Sequence, residues 1–181
     1  MEIVGGQSVV VEQLRSHFSQ DPDIQLTFVP SNPRLPLLLR PLRKVKYLRT
    51  LATSVTYLAL LLVRIPRSDV VHAFSASYWS FILAPVPAIL LARLFRKPVI
   101  LNYHSGEADD HLSNWRTAVP LCRMASSIVV PSEYLVHVFE RHGLQAEAVP
   151  NFVEIDGFKY RERRSLRPVF LSNRSLERHY N

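Results

Sequence analysis

The chain has 181 residues, 48% of them hydrophobic, which suits one domain with a short extension and allows a sizeable core. Its single cysteine, Cys122, excludes an intrachain disulfide and any cysteine-based metal site, and fits a reducing compartment. A net charge of +7 and a pI near 9.9 point to an anionic partner: nucleic acid, a membrane headgroup or a phosphorylated small molecule.

In chain order, Met1-Glu-Ile-Val lacks the basic start and apolar core of a secretory signal. Gly5-Gly6 precedes a helix start. Adjacent glycines let backbone N–H groups approach a ligand, and a helix N-terminus favours anions. The spacing matches neither a nicotinamide fingerprint nor a Walker loop, and a plain helix start explains it equally well. Residues 6–19 read as a helix, with Val9, Val10, Leu14 and Phe18 near the helical period. Residues 24–29 read as a strand ending in the turn Pro-Ser-Asn-Pro.

Arg34, Arg40, Arg43, Lys44, Lys46 and Arg49 then form a basic run, interleaved with leucines and free of acids. Such a segment reads as membrane-surface binding, ahead of nucleic acid, because Tyr47 is its lone aromatic residue. A solvated face over an ordinary core is the alternative. Residues 42–63 read as helical. Their apolar run, 51–63, falls short of the roughly 18–20 residues that span a bilayer and reads as a core or interfacial helix.

Residues 69–74 read as a strand holding His72 as a core histidine, with Ser75 and Ser77 at its tip as candidate ligand contacts. Residues 79–95 read as one helix bent by Pro85 and Pro87. A buried strand, 98–103, then runs into His104, Ser105, Gly106 and Glu107. Ligands of open α/β sheets bind outside the carboxyl ends of the strands, so this titratable tip is placed for chemistry. Glu107, Asp109 and Asp110 supply carboxylates that could hold an imidazolium or bind sugar hydroxyls. His111 lacks a well-spaced second ligand for a metal.

Residues 113–125 read as a helix interrupted by Pro120, and 127–130 as a short strand. Ser132 is the expected cap of a helix stopped by Gly143, and 146–150 is a last strand. The alternation predicts a Rossmann-like parallel sheet with helices on both faces. Residues 159–167 read as a linker and 168–171 as a fresh strand, so we expect one domain over 1–158 and a truncated second domain over 159–181.

Four motifs together resemble the N-terminal half of a GT-B glycosyltransferase of the retaining group called family 4. They are Gly5-Gly6-Gln7-Ser8, Asp69-Val-Val-His-Ala-Phe, Val99-Ile-Leu-Asn-Tyr-His-Ser-Gly, and Ala125-Ser-Ser-Ile-Val-Val-Pro-Ser-Glu-Tyr followed by Val149-Pro-Asn-Phe-Val. Ser126 and Phe152 depart from the usual Asp and Gly. The resemblance implies an acceptor-side domain facing a donor domain across a cleft, with sugar transfer from a nucleotide diphosphate to a glycan or glycolipid acceptor. It makes His104 the candidate catalytic residue and Gly5, Gly6, Gln7, Ser75, Ser105, Gly106, Glu107 and Arg174 candidate substrate contacts. It implies no metal or other cofactor, and no activity for this fragment alone, because the family's acidic donor motif would lie beyond residue 181. The missing signal and the basic run 34–49 add the expectation of a cytoplasmic protein, peripheral at the inner membrane face. A non-catalytic glycan- or phosphate-binding module is the alternative.

Overall fold

A computed structural model describes residues 6–36, 41, 45–152, 158–160 and 162. The chain divides into two compact units, residues 1–151 and 152–181. In the second unit the described residues include the exposed side chains of Phe158 and Tyr160. The expected strand 168–171 and the candidate contacts Gly5 and Arg174 lie outside the described residues, as do Arg40, Arg43 and Lys44 of the basic run.

The first unit contains helix α1 (Gly6–Phe18), helix α2 (Lys46–Arg64) and a 3-10 turn, Ile65–Arg67. Strand β1 (Val71–Ser75) follows, then helices α3 (Tyr78–Leu83) and α4 (Pro85–Leu94) and strand β2 (Val99–Tyr103). Helices α5 (Ala108–Asn114) and α6 (Ala118–Cys122) lead to strand β3 (Ser127–Val130), helix α7 (Glu133–Arg141) and strand β4 (Glu147–Ala148). The four strands pair in parallel in the order β1-β2-β3-β4. The expected parallel α/β fold is therefore the one observed.

Each crossover steps the same way along the sheet, so right-handed connections place α3 to α7 on one face. Burial agrees. Ala73, Ser75, Val99, Leu101, Tyr103, Ile128 and Val130 alternate along β1 to β3 and are buried. The other face carries His72, Phe74, Ile100, Asn102 and Val129, of which Asn102 alone is buried. His72 is therefore on the opposite face of the sheet, with an exposed side chain, rather than in the core. Its Nε2 lies 3.2 Å from the Asn102 amide nitrogen, and its ring stacks on Phe74.

Local chemistry sets the element ends. Pro85 does not bend a single helix; it opens α4 after a break at Ala84. A proline in the first turn forfeits an N–H that has no intrahelical partner anyway. The predicted helix 113–125 is resolved into α5, which starts earlier, and the short α6, with Pro120 in its first turn. Ser132 caps α7 by accepting from the Leu135 N–H. Gly143 ends it with φ of 65°, where Leu144 N–H donates to Phe139 O and Gly143 N–H to Glu140 O. Leu144 also packs into the core beside Phe139, completing a Schellman motif.

One expected element is not a strand. Residues 24–29 form no ladder, and Ile24, Leu26 and Phe28 are exposed. An alternating segment becomes a strand when a sheet edge meets its backbone, and among the described residues β1 pairs with β2 alone.

Candidate active site

The carboxyl ends of β1 and β2 meet the start of α1. The Ser75 carbonyl oxygen accepts two bonds, from the His104 N–H at 2.9 Å and from the Gln7 side-chain amide at 2.9 Å. One oxygen thus ties together the three segments that carry Gln7, Ser75 and the 104–107 tip. Gly6 begins α1 beside Gln7.

His104 is half-buried, and its ring lies 6.0 Å from that of Phe74. Among the described residues, neither of its ring nitrogens has a hydrogen-bond partner. Burial holds its pKa below the ordinary 6.5. The ring is therefore neutral near pH 7, with one nitrogen to donate and one to accept. His72 is lowered too, first by desolvation of its inner edge and then by His104.

Ser75 contributes differently from a ligand contact made through its hydroxyl. It is buried, and its Oγ donates to the Ala76 carbonyl at 2.9 Å. Gly106 has no positive φ, and a Cβ built there meets nothing within 4 Å. A side chain at this exposed position would project into solvent and meet no protein atom.

The carboxylates separate by partner. Asp109 pairs with Arg141 at 3.3 Å and with His142 at 3.2 Å. Asp110 accepts from the Tyr78 hydroxyl and from Asn114. Glu107 is exposed, and its carboxylate has no hydrogen bond or ion pair among the described residues. It is the acidic group left to meet a ligand.

Behind the tip lies a polar chain that sequence reasoning missed. The Ser77 hydroxyl donates to Ser105 Oγ at 2.7 Å. The Tyr103 hydroxyl stands 2.9 Å from Ser77 Oγ and 2.7 Å from His111 Nδ1. Because Ser77 donates onward, its lone pairs take the Tyr103 proton, and the Tyr103 oxygen takes the proton of His111 Nδ1. His111 is fully buried and its Nε2 has no partner among the described residues, so the ring stays neutral; desolvation lowers its pKa against an opposing pull from Asp110. Ser105 Oγ also accepts from the Glu107 N–H at 3.2 Å. Both its lone pairs are engaged, and its own proton is left to donate outward. The signal for this chain was Tyr103 itself: it is in phase with buried Val99 and Leu101, and a buried phenol needs a partner.

Tyr78 stands at the β1 tip with φ of 59°, a left-handed backbone that is costly for an aromatic residue. Its hydrogen bond to Asp110 pushes its pKa up to about 12, and its ring packs edge-on against His111 and Trp115.

The tip thus offers a neutral imidazole, a hydroxyl donor and an exposed carboxylate beside a glycine, a set of donors and acceptors able to bind a polar ligand. The family profile described as Glycosyltransferase Family 4 matches residues 4–156. The chain belongs to this family. Neither the curated proteins nor the solved structures compared with it include a match. The matched span holds Gly5 to Gln7, Ser75 and residues 104–107, and excludes Arg174. This family 4 chain is accordingly a glycosyltransferase domain with the N-terminal GT-B architecture.

Proposed function

We propose that this domain is the acceptor-side wall of a retaining transferase. It moves a sugar from a nucleotide diphosphate to a hydroxyl of a lipid-linked or cell-envelope glycan, on the cytoplasmic side of a membrane. The observation that carries this reading is the convergence of Gln7, His104, Ser105 and Glu107 at the ends of adjacent parallel strands, with the His104 ring nitrogens unpartnered among the described residues.

In this reading His104 contacts the transferred sugar and positions the reacting groups. Ser105 donates to a sugar or phosphate oxygen, and Glu107 accepts from sugar hydroxyls. Gly5, Gly6 and Gln7 approach the phosphates or the acceptor, and Arg174 meets the donor phosphate. Helix N-termini and basic side chains, rather than a metal or another cofactor, neutralise the leaving diphosphate. Donor binding falls mainly to a second domain, so the 181 residues alone bind ligand without turnover.

The test is transfer of radiolabelled sugar from a panel of nucleotide diphosphate donors to a membrane lipid extract. The chain alone should give background counts. The chain joined to the donor domain of a family 4 enzyme should label a lipid, with the anomeric configuration of the donor kept. Transfer by the chain alone, inversion of the anomer, or no labelling with any donor in the joined protein would each contradict the proposal.

A further inference from the structure

Exposed apolar side chains occur in two kinds of setting. Tyr47–Arg67 is long and apolar enough to cross a bilayer, which corrects the expectation from the shorter run 51–63, yet Tyr57, Leu61 and Ile65 of this stretch pack into the core. Beside the His104 tip, exposed aromatic rings stand among polar groups instead.

Both tryptophans of the chain belong to that second setting. Trp79 lies in the first turn of α3, and Trp115 directly follows α5. Their rings meet edge to face at 5.5 Å between centroids, and the Tyr78 ring meets Trp115 at 5.8 Å. Trp79 stays 70% exposed and Trp115 half-buried. Burying an indole is among the larger apolar gains open to a fold, and here that gain is forgone. Among the described residues neither indole N–H has an acceptor, and neither is sealed inside the protein, so each can donate outward.

Polar groups edge the rings. Tyr78 holds φ of 59° and donates its hydroxyl to Asp110. The same carboxylate accepts from the Asn114 amide at 2.7 Å. A carboxylate only accepts, so the amide nitrogen of Asn114 faces Asp110 and its carbonyl oxygen is left to accept from a ligand. Asp110 and Asn114 are both exposed. A strained aromatic residue that ties exposed polar groups together is typical of a binding site. The cluster also adjoins the tip: Ser77, which holds Ser105 at 2.7 Å, immediately precedes Tyr78, and Glu107 immediately precedes α5.

The chemistry selects the occupant. A pyranose has an apolar C–H face and a rim of hydroxyls that donate and accept. An open indole face covers the first, while indole N–H, amide and carboxylate groups meet the second. The carboxylate disfavours a phosphate or another anion at this place. We propose that Trp79, Trp115, Asp110 and Asn114 form an acceptor subsite, which binds a further pyranose unit of the glycan whose reacting end lies at His104. The subsite rests on the acceptor-side reading for its role, but sugar binding at the rings is read separately from events at the tip.

Because the chain has only these two tryptophans, the intrinsic tryptophan fluorescence of the full chain reports this cluster alone. It is titrated with a panel of neutral di- to tetrasaccharides containing glucose, galactose, mannose or N-acetylglucosamine. At least one should change the emission with saturation. Trp79→Ala should weaken that sugar by about tenfold or more in calorimetry, with circular dichroism and Tm unchanged because the side chain is exposed. Trp79→Phe, which keeps an aromatic face, should recover most of the affinity, and Asn114→Ala should weaken it by about fivefold. No change in emission with any sugar, or equal affinity in Trp79→Ala, overturns the proposal. So does a blue shift without sugar that grows with protein concentration, which would assign the rings to a second copy. A sugar that perturbs the His104 ring by NMR and leaves the tryptophans silent sinks the subsite and spares the tip. Saturable tryptophan change with a silent His104 supports the subsite and contradicts the reading of the tip.

Discussion

His104 and Gly106 enter the proposed site for different reasons, one through the ring nitrogens it offers and the other through its lack of a side chain. His104→Ala removes a ring that makes no hydrogen bond to the described protein, so thermal stability should hardly change while sugar binding falls. Gly106→Ala should keep stability within about 0.5 kcal/mol, because the added Cβ meets no protein atom. Its effect should appear in ligand affinity. A large drop in Tm for Gly106→Ala would mean that the glycine serves the fold and not a ligand. His72, His104 and His111 share a different consequence. All three are held below 6.5, so on acidification the unfolded chain takes up protons before the folded one. Their contribution to stability is full above about pH 6.5 and declines as pH falls toward their lowered native values. Thermal melts between about pH 8 and 5.5 should show Tm falling on the acid side; a Tm that rises there contradicts the assignment. At Arg96 the left-handed backbone predicts that Arg96→Gly stabilises the domain by about 1 kcal/mol in chemical denaturation; an unchanged midpoint would contradict it.

At the scale of elements, α7 shows how much a local signal settles. Ser132 three residues before the bonded Leu135 N–H, and Gly143 in the left-handed conformation, bracket the helix in sequence and in space. Ser132→Ala should cost about 1 kcal/mol by denaturant titration. An unchanged midpoint would mean that the 3.4 Å contact does little. Strands β2 and β3 were legible for a similar reason: short apolar runs ended by polar or turn residues have few other solutions in a parallel sheet. Residues 24–29 carry the same pattern and form no ladder, because pairing depends on a neighbour that sequence pattern cannot supply. The division at Ala84 was half-legible. The prolines announced a disturbance, but whether a proline kinks one helix or starts another depends on the packing of α4 under β1 and β2.

Across the first unit, the parallel sheet separates the surfaces. His104 lies at the carboxyl ends of β1 and β2, while Arg67 and Lys97 precede the amino ends of the same strands. The candidate site was legible as a list of residues on the tip 104–107. Its wiring was not. Ser77, Tyr103 and His111 are joined by hydroxyl contacts across 26 and 8 residues, which no periodicity reports. The central claim is that the tip carrying His104 receives the sugar. It is tested most directly by NMR titration of the 181-residue chain with nucleotide diphosphate sugars and envelope glycans, reading the His104 ring and the amides of residues 105–107. At least one of these ligands should shift those signals, and His104→Ala should weaken its binding about tenfold or more at unchanged Tm. No shift with any ligand, or equal affinity in the variant, would contradict the account.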